Sequence, residues 1–483
     1  MKEFLDKALE VLQSLKVEYG EIRIVERRFQ KLGLRNESLS DCADSESLGF
    51  GIRVIKNKSW GFAASSKLQT GEIEAVAKKA VKIAEAASLF PLASLKLAHE
   101  PAHTDIWTTP YLIDPFSVPY EKKLELLFAI NKTLRKKPEI KLAYASMQFK
   151  RDKIYFANTD GSRITQVLLR SGAGYSATAV GKDDVQTRSY PMPFGGQHKS
   201  GGYEIVNSLE LLANAERVCE EAVALLTAPE CPSGKRDIII APTQLFLQIH
   251  ESAGHATELD RVLGYEENFA GSSFLTTEKY KNFRYGSELV NLVADGTVPG
   301  GLATRGYDDD GVRSKRYHIV KNGILSGYMT SREFAQFIGE EQSFGSNRAE
   351  GFWAIPIIRI NNLSLMPGDW ELEDMLADTE NGLYLDMNNS WSIDQRRLNF
   401  QFGVEAGYEI KNGKLGKLYK NCNYQGITPE FWGSCDAIAN EKYWDLMGVN
   451  NCGKGEPMQI IEMSHGCSHA RFRNVQVGIK PAK

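Results

Sequence analysis

Two spacings organise the apolar positions of this chain. Phe4, Leu5, Ala8, Leu9, Leu12 and Leu15 recur at helical steps and are interrupted by charges, which predicts an amphipathic N-terminal helix rather than a signal peptide. Ile73, Val76, Ala77, Ala80, Ile83, Ala84 and Ala87 predict a second helix, and the stretches 120–135 and 208–227 predict two more. Between them the pattern shortens. Strands are expected over 21–30, 142–149, 153–157 and 164–180, with a hairpin over 49–64 that turns at Lys56, Asn57 and Lys58. The proline-rich, weakly periodic stretch 91–119 reads as a subdomain joint.

The prolines and glycine of 228–234 break regular structure and set the main boundary, giving an N-terminal domain over 1–228 and a C-terminal domain over 233–483. The second domain opens with a short strand, 237–241. Pro242 then pre-sets a first helical turn, and Phe246, Ile249, Ala253, Ala256 and Leu263 mark the buried face of the helix. After a poorly periodic segment, 264–288, strands dominate. Hairpins centred on Asn-Gly are expected at 320–327 and 410–417, short helices at 331–338 and 370–376, and strands at 352–361 and 398–408. The expected class is α+β: a mixed α/β first domain, then a second dominated by antiparallel sheet.

Composition narrows the function. With 483 residues, 42% of them hydrophobic, the chain exceeds one ordinary core. A net charge of −3 with both signs interspersed gives no basic face for nucleic acid. Seven scattered cysteines without a CxxC pair fit a reducing, cytoplasmic setting. No apolar run reaches the ~18 residues of a membrane span, so none is expected.

The chemistry concentrates in 248–260, QIHESAGHATELD. Zinc hydrolases commonly use HExxH, whose histidines lie within ~40° of one another around a helix. Here the spacing is HExxxH, and on an ideal helix His250 and His255 diverge by ~140°. One extra residue taken up as a π-type bulge restores convergence, and Gly254 is best suited to that distortion. The bulge also turns Glu258 towards the same side, as a ligand or as a carboxylate orienting an imidazole. Glu251, directly after His250, is placed to take a proton from an attacking water.

HExxGHxxExD, carried here by His250, Glu251, Gly254, His255, Glu258 and Asp260, resembles the metal motif of the TldD/PmbA peptidases, labelled in older descriptions as modulators of DNA gyrase. The segments 49–63, 296–301 (GTVPGG), 308–311 (DDDG) and 452–459 (CGKGEPMQ) follow in the order the family shows. The resemblance implies Cys452 as third metal ligand, Glu258 and Asp260 as supporting carboxylates, and a divalent metal, zinc first and Fe2+ second. It also implies a peptide or unfolded protein as substrate, and a homodimer or a heterodimer with a PmbA-like chain. The PmbA branch lacks the metal residues, so their presence places this chain in the TldD-like branch. Two other readings carry different consequences: a non-enzymatic regulator that binds a protein such as gyrase, or a structural metal closed by Glu258.

Other residues invite a role. His465, Cys467 and His469 in SHGCSH look like a metal tract or a late strand of mixed polarity. Asp308, Asp309 and Asp310 lack the spaced ligands of a cation loop and read as an acidic turn. Arg305, Tyr307, His318 and Tyr328 are candidates for polarising a peptide carbonyl, with ordinary sheet residues the plainer reading. Trp60, Trp353, Trp391 and Trp432 are expected in the core or an interface. Arg396 to Gln401 departs from the family pattern.

Overall fold

The computed structural model describes residues 1–90 and 95–478. Its first sheet is built on long strands. Tyr19–Arg35 pairs antiparallel with Ser38–Lys56 on one side and with Ile140–Asn158 on the other, and Ile140–Asn158 pairs with Arg163–Val180. The helices Lys2–Ser14 and Thr70–Ala87 cover one half, burying Leu12, Ile73 and Ala80 against Ile22, Phe50 and Ile52. Tyr120–Leu134 and Leu211–Thr227 cover the other, with Leu127, Ile130 and Val218 against Phe149 and Tyr175. Both helix pairs thus share one sheet.

Two expectations change here. The strands read at 142–149 and 153–157 are one, because Lys150 and Asp152, which look like a polar break, are neutralised inside the sheet by Glu462, Arg27 and Arg170. The stretch 91–119 contains an edge strand, Thr104–Thr108, parallel to Arg163–Val180; its residues are mostly exposed, so no burial rhythm marks it. Residues 91–94 of that stretch lie outside the described residues.

In the second half, Gly234–Ile240 lies between Asn381–Ile393, to which it is parallel, and Ala470–Val477, to which it is antiparallel. Pairing continues through Asn423–Ile427 and Asn399–Lys411 back to Asn381–Ile393, closing a five-strand ring. The run Ile238, Ile239, Ile240 shows how a strand uses both faces. Ile238 and Ile240 enter the large core with Phe246 and Leu385, while Ile239 packs with Met375 and Ile410 on the other side. The Asn-Gly hairpins form as expected, Arg316–Lys321 with Ile324–Leu325 and Asn399–Lys411 with Lys414–Tyr419.

Elsewhere the second half is less regular than its sequence suggests. Only Ala335–Ile338 of 331–338 is helical, as a 3₁₀ turn, and 352–361 supplies just the two-residue strand Ile357–Ile358. Side chains replace the ladder there: Arg359, fully buried, donates to the carbonyls of Cys452 at 2.6 Å and Gln459 at 3.3 Å.

The acidic turn joins the halves. Asp308 accepts from the backbone N–H groups of Asp310, Val312 and Asn347, while Asp309 pairs with Arg23 at 3.0 Å and Asp310 with Arg53 at 2.5 Å. Both arginines project from the first sheet. Among the described residues no helix is long and apolar enough to cross a membrane.

Candidate metal centre

The site grows from the turn that follows the ring strand Gly234–Ile240. Pro242–Ile249 is α-helical, His250–Gly254 widens into a π turn, and His255–Thr257 tightens into 3₁₀. The extra residue of HExxxH is absorbed where convergence requires it. The two imidazole rings stand 4.7 Å apart between centroids, nearly perpendicular. Hydroxyls hold the wide turn open: Thr257 Oγ1 donates to Ala253 O at 2.8 Å, Ser252 Oγ donates to Gln248 O, and Ser252 Oγ accepts from the buried Trp432 indole at 3.0 Å.

Gly254 serves differently from what its sequence position suggests. Its φ of −56° and ψ of −69° are open to any residue, so backbone freedom is not the requirement. Space is: a Cβ there would stand 2.7 Å from Ile360 Cδ1.

Cys452 arrives from the hairpin Asp445–Lys454 and Gln459–Cys467, beyond a register shift between Val449 and Cys452. Its Sγ lies 3.4 Å from His255 Nε2, and the ligand atoms of His250, His255 and Cys452 all fall within 4.8 Å of one another. Tetrahedral zinc with Zn–N ~2.05 Å and Zn–S ~2.3 Å would separate such ligands by about 3.5 Å. All three residues are buried. Two imidazoles and a thiolate suit zinc well, so the donor set fits the ion.

Hydrogen bonds around the triad fix which nitrogen of each ring is free. His465 Nδ1 sits 2.8 Å from the carbonyl of Leu363 and must donate to it, leaving its Nε2 as acceptor. That nitrogen is 2.8 Å from His250 Nδ1, so His250 donates from Nδ1 and keeps the Nε2 lone pair for a ligand. Likewise His255 Nδ1 donates to Glu258 Oε2 at 2.7 Å, leaving Nε2 towards Cys452. Glu258 therefore sits on the side of the His255 ring away from the thiolate. Behind it, fully buried Lys454 reaches both oxygens of Asp260 at 2.7 Å and lies 3.7 Å from Glu258. Cys452 and Lys454 are two apart on a strand and point to one face, which lets a single strand supply both the thiol and the ammonium.

The electrostatics agree with this arrangement. Burial opposes ionising Cys452, but His255, His250 and Arg359 outweigh it and hold the thiol well below its usual range. Burial likewise opposes a charged His255, while the Cys452 and Glu258 charges push its pKa up to about 9. A thiolate–imidazolium pair results, in which a proton holds together what a divalent cation would bridge. Glu251 is buried, which alone would raise its pKa. The guanidinium of Arg397, 2.5 Å from Oε2, and the two histidines reverse the sign and keep it ionised.

The other candidates lie elsewhere. Of the SHGCSH tract, His465 orients His250, Cys467 contacts Pro242 O in the core, and His469 bonds Tyr384. Arg305 faces Asp309, Tyr307 donates to Asp105, Tyr328 donates to the carbonyls of Leu275 and Thr276, and His318 is on the strand Arg316–Lys321. None of these four reaches the triad. Arg397 instead meets Glu251, beside the triad, and nothing in its spacing singles it out. No signal in the sequence marks it. Trp432 is fully buried as expected, whereas Trp353 and Trp391 are each 47% exposed.

Comparison with known proteins follows the same lines. Family models described as PmbA/TldA metallopeptidase domain 1, central domain and C-terminal domain match residues 20–84, 113–226 and 233–479. A metalloprotease of Methanocaldococcus jannaschii is 30% identical over 470 residues, 96% of this chain and 97% of its own. A Saccharolobus solfataricus protein named as a zinc metalloprotease TldD homolog is 24% identical over 437 residues, 89% and 90% of the two chains. In fold, TldE from Thermococcus kodakarensis superposes with a TM-score of 0.75 at 15% identity, covering 99% of this chain and all of that one. A Thermotoga maritima protein described as a modulator of DNA gyrase gives 0.77 at 18% identity, over 99% of this chain and 100% of its own. On a full-chain match that includes the whole strand-rich half, this chain belongs to the PmbA/TldA metallopeptidase family.

Proposed function

We propose that this metalloprotease hydrolyses peptide bonds in short or unfolded peptides, with a single zinc ion held by His250, His255 and Cys452 and with Glu251 as general base. The observation that carries the reading is the placement of an ionised carboxylate directly beside two imidazoles and a thiolate whose free ligand atoms converge. The bound ion would supply Lewis acidity, polarising the scissile carbonyl and making water easier to deprotonate. Glu251 takes the proton of the attacking water and returns it to the departing amine, so acid and base are one residue used twice. His465 and Glu258 hold the two imidazoles in the ligand tautomer throughout the cycle. The thiolate adds negative charge, which makes the water less acidic than three histidines would and increases the need for a nearby base.

Extended substrate binds by main-chain pairing to an exposed strand of the second half, which gives affinity with little side-chain selectivity. The enzyme works in the cytoplasm as a dimer, with a second copy or with a PmbA-like chain. Glu251→Gln tests the mechanism: it should keep one zinc per chain and lose hydrolysis of casein. Full activity in that variant sinks the proposal.

A further inference from the structure

We propose that Arg397 is a catalytic residue whose guanidinium donates to the oxyanion that forms when water adds to the scissile carbonyl. This rests on the metallopeptidase reading above and assigns it an electrophile from the chain itself.

Three observations converge on Arg397. First, it is the cation that meets Glu251, through Nη1 at 2.5 Å, so its guanidinium stands beside the carboxylate assigned as general base. Second, its backbone is strained and held. Its φ is +64°, in the left-handed region that side chains avoid, yet the turn around it is fixed at every step. Arg397 N donates to Asp394 O at 2.9 Å, and the Asp394 carboxylate accepts from the N–H groups of Leu398 at 2.9 Å and Asn399 at 3.0 Å. Arg261 donates to Gln395 O at 2.9 Å, and Thr428 Oγ1 to Arg397 O at 2.8 Å. A conformation that costs free energy and is fixed by five hydrogen bonds positions one side chain. Third, the guanidinium is under-used. Nε is buried without a partner, Nη1 alone bonds a carboxylate, and the side chain keeps 13% exposure. Spare donors on a fixed fork beside a metal triad are what a developing oxyanion needs.

The chemistry balances without a further reactant. Water loses a proton to Glu251 as its oxygen bonds the carbonyl carbon, and the carbonyl π pair moves onto oxygen, where Arg397 donates a hydrogen bond. When the C–N bond breaks, that pair re-forms the carbonyl and the Glu251 proton goes to the amine. Arg397 stays protonated.

The test uses the full-length zinc-loaded enzyme, a casein-derived peptide that it cleaves, and a phosphinic analogue of that peptide as a tetrahedral mimic. Arg397→Ala should keep its zinc while kcat/KM falls ~10²- to 10³-fold, with most of the loss in kcat. Affinity for the phosphinic analogue should fall in parallel, and affinity for the uncleaved peptide, measured in the Glu251→Gln background, should not. Added guanidinium should restore part of the rate. Arg397→Lys, which keeps the charge but not the fork, should fall between and covers the case in which the alanine variant folds poorly. Wild-type kcat/KM in Arg397→Ala would overturn the proposal. So would a lowered rate with unchanged analogue affinity, since that would limit Arg397 to positioning Glu251. Failure of the wild-type enzyme to cleave any peptide would instead refute the metallopeptidase reading.

Discussion

Gly254→Ala puts the account of the π turn at risk. The backbone there suits alanine, and alanine favours helices over glycine by about 0.8–1 kcal/mol, so an argument from propensity predicts a more stable protein. The structure predicts the reverse. The new Cβ would lie 2.7 Å from Ile360 Cδ1, and Ile360 is fully buried, with its carbonyl bonded to Arg348. Overpacking of one methyl in a closed core costs about 1–3 kcal/mol. Because Gly254 lies between Glu251 and His255, the push should also move His255 off its converging position, with about 10-fold weaker zinc binding for every 1.4 kcal/mol of strain that reaches the site. Ile360→Val removes Cδ1 and leaves branch carbons that the new Cβ would meet at 3.4 Å. Alone it should cost about 0.5–1.5 kcal/mol; together with Gly254→Ala it should be less harmful than the sum by about 1 kcal/mol or more. Thermal melts of the metal-free protein and zinc titration with a competing chelator read both quantities. Strictly additive effects, or a stabilised Gly254→Ala, would refute the packing argument.

Two further outcomes follow from the site and from the contact between the halves. His465→Phe removes the acceptor that fixes the His250 tautomer, and zinc should bind 10- to 100-fold more weakly with the fold retained, as competitive chelator titration would read; unchanged affinity would mean that His250 needs no such partner. Burial pushes the Glu405 carboxyl up to about 7, against the pull of Arg188 and Ser189. The folded state then holds a proton that the unfolded chain releases near its ordinary value of 4.5, so stability should fall as pH rises from about 4.5 to 7, by up to about 3 kcal/mol. Glu405→Gln should flatten that slope in melting-temperature profiles, and an unaltered slope would exclude Glu405 as its source.

The metal motif was legible because a mis-spaced pair of histidines has few ways to converge, and a π turn is one of them. Cys452 was legible only through resemblance, since Cys467 and His465 stand nearby and spacing cannot choose among them. The structure separates these residues by alternation: Cys452 and Lys454 share a face of one strand, while His465 and Cys467 come from its neighbour. Arg397 was not legible at all, because its position comes from a hairpin turn whose partners, Arg261 and Thr428, are far away in sequence. The same cause explains the missing strand over 352–361. The sequence reads as a strand straight through Arg359, and only the folded chain shows its guanidinium bonding carbonyls in place of a ladder.

The grip of Asp308, Asp309 and Asp310 on the first sheet has a consequence for how this enzyme could be divided. A fragment beginning after 234 would carry His250, His255 and Cys452, yet Asp310 would lose Arg53 and Asp309 would lose Arg23, keeping only the more distant Arg305. Those two arginines belong to the opening strands of the chain, so ribosomal synthesis delivers the neutralising half long before the half that requires it. The amino-terminal half thus supplies charges that the acidic turn of the other half faces, and a transplanted carboxyl-terminal half would lose them.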